Sequence, residues 1–138
     1  VESVGTSSDS RRVFSLAFVG GDLYLAQTSR LTRFTNAASC AGACVASATG
    51  ITVILPSALV SDGGAILFVG NVSRVVRYNV TTAAVEIYSN GSTLNGNTTA
   101  YQGVTGLGLD PKGNLYVGDD PGLGFTTGSG HLWKIAVK

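Results

Sequence analysis

Apolar residues along the chain come in short runs, alternating or continuous, broken every few positions by Gly, Asn, Asp or Ser. No window keeps the period of an amphipathic helix, so the runs predict β-strands. The clearest stretch predicts strands at Ala58 to Ser61, Ala65 to Gly70, Arg74 to Asn79 and Ala84 to Ser89. Turns are expected at Asp62-Gly63-Gly64 and at Val80-Thr81-Thr82-Ala83. The pattern repeats. Leu23 to Phe34 aligns without a gap on Leu67 to Tyr78, 44 residues on, and a third copy opens at Leu115 to Asp119, 48 residues further. That copy resumes at His131 to Ile135 after about nine inserted residues. Phe14 to Phe18, Ala58 to Asp62 and Gly106 to Asp110 lead into the three copies.

A four-stranded antiparallel unit repeating roughly every 46 residues predicts an all-β chain built as β-propeller blades. The expected division is an N-terminal strand within 1–13, blade 1 at 14–56, blade 2 at 57–103 and blade 3 at 104–138, the last lacking its outer strand. Particular residues also carry a resemblance. Asp110-Pro111-Lys112-Gly113-Asn114-Leu115-Tyr116-Val117-Gly118-Asp119 resembles the turn and second strand of NHL-type propellers. Arg74 to Val85, and Gly130-His131-Leu132-Trp133-Lys134-Ile135, are similar to the third-strand pattern of gluconolactonase and strictosidine synthase-like propellers. The resemblance covers all three units and implies a fold more than an activity. Three blades do not close a ring, and open edges invite pairing. The chain therefore reads as half of a six-bladed ring, a repeat of a larger assembly, or a part of a longer propeller.

Composition narrows the class. Hydrophobic residues are 44% and charged residues only 12%, which excludes a disordered charged tail. A net charge of +1 gives no argument for nucleic acid, and glycines break every apolar run short of a bilayer span. The lack of Met and the N-terminal Val1 suit a processed chain. Cys40 and Cys44, with three small residues between them, are expected to form a tight disulfide loop rather than a zinc or redox site. Four acceptor sequons, at Asn71, Asn79, Asn90 and Asn97, are an excess for seven asparagines. The competing reading is that these Asn simply occupy turns. Together the cysteines and sequons predict a secreted, N-glycosylated chain.

Candidate chemistry is sparse. Gln27, Asn71, Asp119 and Asp120 fall at corresponding corners of the units, and Asp119 and Asp120 offer oxygen ligands that would suit calcium. Asp110 and Asp62 open turns, where Asp normally bonds its own backbone. His131, the lone histidine, is expected to pack at a rim, and no nucleophile elbow occurs. The Gly122 to Gly128 run lacks the ending of a phosphate loop. Arg33, Arg77 and Lys134 share one phase, as a basic stripe or as cross-strand partners of residues such as Glu86. With no catalytic constellation, the expected task is structural or adhesive, through self-association in an extracellular or cell-surface assembly, ring or filament. The resemblance also implies a rival, a gluconolactonase or strictosidine synthase-like enzyme, with or without calcium; a third reading is a carbohydrate- or peptide-binding module with Tyr101 or Trp133 as stacking platforms.

Overall fold

The computed structural model describes residues 12–40, 44–51, 53, 55–90, 101–120 and 130–136. The expected N-terminal strand within 1–13, the insertion 121–129 and Asn97 lie outside them, apart from the first residues of the strand that opens the fold. That strand, β1, is Val13–Val19, followed by β2 (Asp22–Gln27), β3 (Arg30–Phe34) and β4 (Ala46–Ala48). They form an antiparallel sheet in chain order. The middle sheet is β5 (Ala58–Ser61), β6 (Ile66–Gly70), β7 (Val75–Asn79) and β8 (Val85–Ser89), again in chain order. The third sheet has β9 (Val104–Leu109), β10 (Leu115–Asp119) and β11 (His131–Ile135). All pairings are antiparallel, and no helix occurs among the described residues.

The all-β expectation therefore holds, and the strands fall close to where the hydrophobic runs placed them. The differences at strand ends have local causes. Arg74 starts no strand because its N–H is held by the Asn71 side chain at 2.9 Å. Ala84 stays outside β8 because its carbonyl accepts from Asn79 N–H at 2.9 Å, closing the turn. The resemblance to NHL-type and gluconolactonase or strictosidine synthase-like propellers does not stand: the three sheets are separate, three- or four-stranded, and not closed on one another. Strand and turn motifs are set by neighbours a few residues away, whereas closure depends on contacts between distant sheets. The motifs could therefore match while the closure they suggested is absent.

Hairpin chemistry explains the register. In the β5–β6 turn, Asp62 Oδ1 accepts from Gly64 N at 2.8 Å and Ile66 N at 3.0 Å. In the β9–β10 turn, Asp110 Oδ1 accepts from Lys112 N and Asn114 N, both at 2.9 Å. Each turn also needs one left-handed residue, supplied by Gly63 and Gly113 at φ 81°. Both aspartates thus do what the sequence assigned to a turn-opening Asp.

Register decides which side chains meet. Tyr24, Ala26 and Leu31 of the first sheet are buried against Leu67, Val69, Val76 and Tyr78 of the middle sheet. The opposite face of the middle sheet, with Phe68 and Val75, is buried against Leu115, Val117 and Val104 of the third. Every residue of β6 is buried as a result. The first strands approach most closely: Leu59 N–H donates to Ser15 Oγ at 3.0 Å, linking β5 to β1, and Val104 N–H donates to Asn71 carbonyl at 3.4 Å. At the second junction Gly70 has no room for a side chain, since a Cβ there would stand 2.5 Å from Val104 Cγ1. Val104 is fully enclosed and β-branched, so it cannot swing away. Gly70→Ala should cost about 1–3 kcal/mol of unfolding free energy by overpacking. Gly106→Ala, at a site with open space, should cost less than about 1 kcal/mol. Urea unfolding of the two variants measures the contrast.

Candidate functional site

The end of the second strand brings one polar residue per sheet to an equivalent position: Gln27, Asn71 and Asp119. All three are buried, at 0%, 8% and 6% exposure. A buried polar group costs free energy unless its hydrogen bonds are made, so each should have a structural partner or a ligand. Structural partners are present in every case. Thr32 Oγ1 donates to Gln27 Oε1 across the β2–β3 hairpin. Asn71 Oδ1 accepts from Ser73 N at 3.1 Å and Arg74 N at 2.9 Å, shaping the β6–β7 turn. Asp119 Oδ1 accepts from Gln102 N at 3.0 Å and Gly103 N at 2.9 Å, fixing the segment that enters β9.

Around Asp119 the network continues. The Ser89 and Tyr101 hydroxyls are 2.9 Å apart and buried, and Ser57 Oγ donates to the carbonyls of Gly70 and Val104. Burial raises the Tyr101 phenol; the Ser89 hydrogen bond lowers it and the nearby Asp119 raises it. Tyr24, enclosed between the first two sheets, is likewise raised by burial. The arrangement ties the middle and third sheets together at one end. It holds hydroxyls and a carboxylate, each with a structural bond already made.

The remaining candidates are dispersed over the three sheets. Asp120 lies next to Asp119 in the chain, and its N–H donates to Gly103 carbonyl at 2.9 Å. Among the described residues no three His, Cys, Asp or Glu side chains stand close enough together to hold a metal ion. His131 sits exposed at the start of β11, its ring 5.5 Å from that of Trp133. Tyr101, at 3% exposure, is closed to a stacking ligand, whereas Trp133 is half-buried. Each base of the expected stripe has its own neighbour. Arg33 pairs with Asp22, Arg77 Nη1 lies 2.8 Å from Glu86 Oε1, and Lys134 Nζ lies 5.7 Å from the Tyr116 ring centroid. Of the sequons, Asn71 is buried, Asn79 half-buried with Oδ1 accepting from Thr81 N and Thr82 N, and Asn90 exposed. Cys40 and Cys44 form a disulfide with Cα atoms 5.6 Å apart, packed beside Phe34 and Ala37.

A cleft opens between the outer strands of the middle and third sheets, bordered by Phe68, Arg77, Glu86, Tyr88, Lys112 and Ile135. Sequence reasoning missed it. A cleft made by two sheets diverging from closely packed first strands has no local signature.

No family model matches the chain, and no curated protein matches it. Among solved structures it is similar to the crystal structure of the computationally designed Ika4 protein, at 11% identity over 99% of each chain with a TM-score of 0.45. No family evidence therefore stands behind the propeller resemblance. The fold and the cysteines define an all-β protein of three antiparallel sheets carrying one disulfide. Among the described residues no helix is long and apolar enough to cross a membrane; that and the disulfide are compatible with an extracellular location.

The buried network has consequences for stability. Asp119→Ala orphans two backbone N–H groups and should cost at least about 2 kcal/mol, while Asp119→Asn keeps an acceptor oxygen and should cost about half as much. Denaturant unfolding at neutral pH reads the difference. Alkali probes the buried phenols. Because folding raises Tyr24 and Tyr101, their contribution is fully present below the unfolded value of about 10 and is lost as pH rises through the folded values. Stability should fall above about pH 10, and a Tyr24→Phe/Tyr101→Phe variant should flatten that limb. An unchanged slope would refute the assignment.

Proposed function

We propose that the protein is an extracellular structural or adhesive module that assembles with copies of itself by completing its third sheet. The observation that carries this reading is the unequal sheets: the first two have a fourth strand beside the third, whereas β11 pairs only with β10 among the described residues. An unpaired strand edge presents N–H and C=O groups that an added strand can satisfy. The donor indicated by the sequence is the segment Val1 to Thr6, which lies outside the described residues, or an equivalent strand of a neighbouring copy. Such a contact closes into a two-chain ring of six sheets or runs on as a fibre, depending on its rotation. The disulfide and the sequons support secretion and N-linked glycans on this reading, and among the described sequons the exposed Asn90 is the one best placed to carry a glycan.

Sedimentation velocity of chain secreted from a eukaryotic cell, with and without residues 1–6, tests the proposal. The intact chain should sediment as a dimer or larger species. Removing the donor should raise the concentration at half-association at least about tenfold. An intact chain that stays monomeric, or a deletion without effect, would sink it. Peptide mapping after enzymatic deglycosylation of the same material should find Asn90 modified.

A further inference from the structure

The two internal sheet contacts use the same positions of the repeat. The face that each sheet turns toward the next carries an aromatic residue, a small residue and an aliphatic residue in register. These are Tyr24, Ala26 and Leu31 in the first sheet, and Phe68, Gly70 and Val75 in the middle sheet. All are buried by the next sheet along the chain. The third sheet repeats them as Tyr116, Gly118 and Leu132, but no further sheet covers this face among the described residues, and Leu132 is 73% exposed. The face turned toward the preceding sheet repeats as well. Leu59, Leu67 and Val69 of the middle sheet are buried; of their first-sheet counterparts, Leu23 and Leu25 are half-buried beside Phe34, Ala37 and the disulfide, while Leu16 has no preceding sheet against it among the described residues. Leu16 is 59% exposed and Phe18 48%.

We propose that these two faces are mates, so that the first sheet of one copy docks on the third sheet of a second copy of this chain, repeating between molecules the contact made twice within each. Side-chain size supports the pairing. Where the first sheet exposes Phe18, the middle sheet has Ser61 at the equivalent position. The floor that would receive it is correspondingly low: Gly106 and Gly108 replace Ala58 and Val60, and a Cβ at either glycine would meet nothing within 4 Å. The bulk added on one face is removed from the other. Ser15 touches Leu59 across the first internal contact, so its third-sheet counterpart, Gly106, stands opposite Leu16 of the docked copy.

The inference rests on the self-association proposed above and names a second contact for it. The same neighbour can serve both. The seven residue steps from Thr6 to Val13 reach at most about 25 Å, and the outer side of β11, three strand spacings from β9 and one sheet separation below β1 of the docked copy, lies about 18 Å from it. The contact is heterologous, so it propagates or closes but does not pair like with like.

Cysteine pairing tests it on the whole chain. Leu16→Cys and Gly106→Cys are made in separate chains, both at exposed or open positions, and mixed under mild oxidation. The expected product is a covalent heterodimer of the two variants, with at least about tenfold less of either homodimer. Homodimers of Leu16→Cys alone would mean the apolar face meets its own copy and would overturn the proposal. So would the absence of any cross-link in a chain that still associates. Repeating the cross-link without residues 1–6 separates the two ideas: persistence of the heterodimer upholds the face contact even where strand addition fails. A wild-type chain that is monomeric, with Phe18 protected from solvent by its own residues 1–11, refutes the face contact outright. As a second readout, Phe18→Asp should weaken association of the wild-type chain at least about tenfold with little change in unfolding midpoint.

Discussion

The structure depends on one constraint: the middle sheet is buried on both faces. A sheet with water on one side alternates polar and apolar residues, whereas one covered on both sides reads as a continuous apolar run. Ile66-Leu67-Phe68-Val69-Gly70 is such a run, with every residue buried. Its odd and even members serve different partners, Leu67 and Val69 the first sheet, Ile66 and Phe68 the third. A one-residue slip of β6 would exchange the two sets and place Gly70 away from Val104, where a side chain would fit but no contact would be made. The close approach at Gly70 is therefore a consequence of the register and also a check on it.

Much of this was legible in the residues. The three-fold repetition, the positions of the hairpins and the disulfide pairing all came from local signals: β-branched runs, turn residues, and two cysteines with small residues between them. The closure that the repeats suggested did not survive, because no short stretch encodes how sheets are disposed around one another. The same limit applies to the cleft. It applies also to the first sheet, whose apolar Leu16 and Phe18 stand about half-exposed. Alternation shows that a face is apolar and leaves open which surface covers it.

The polar positions illustrate a second kind of illegibility. Asn71 and Asn79 read as glycan acceptors or as turn residues, Asp62 and Asp110 as turn openers, and Asp119 as an oxygen ligand. In the structure every one of them accepts backbone N–H groups close by or, for Asp119, from the segment entering its own sheet. Asp119 shows how a single carboxylate joins strands distant in sequence. Its partners, Gln102 and Gly103, precede β9, so the end of β10 is tied to the entry of the same sheet. At Asp110 the Asn114 side chain holds the carboxyl below its usual range, with the backbone N–H groups of Asn114 and Lys112 acting in the same direction.

The two-faced middle sheet gives the molecule the logic of a tile. Its leading face is shaped for the third sheet and its trailing face for the first, and both shapes are already realised inside one chain. Inserting another copy of residues 58–103 between the middle and third units would create one junction the protein does not yet make, the leading face of the middle sheet on its own trailing face, built from the same register positions as the two existing junctions. Duplication of that stretch of coding sequence therefore keeps the register of the core and leaves only the side-chain fit of one junction to be adjusted. Terminal units alone carry surfaces matched to nothing inside the chain, so selection on the ends of such an array is separable from selection on its interior.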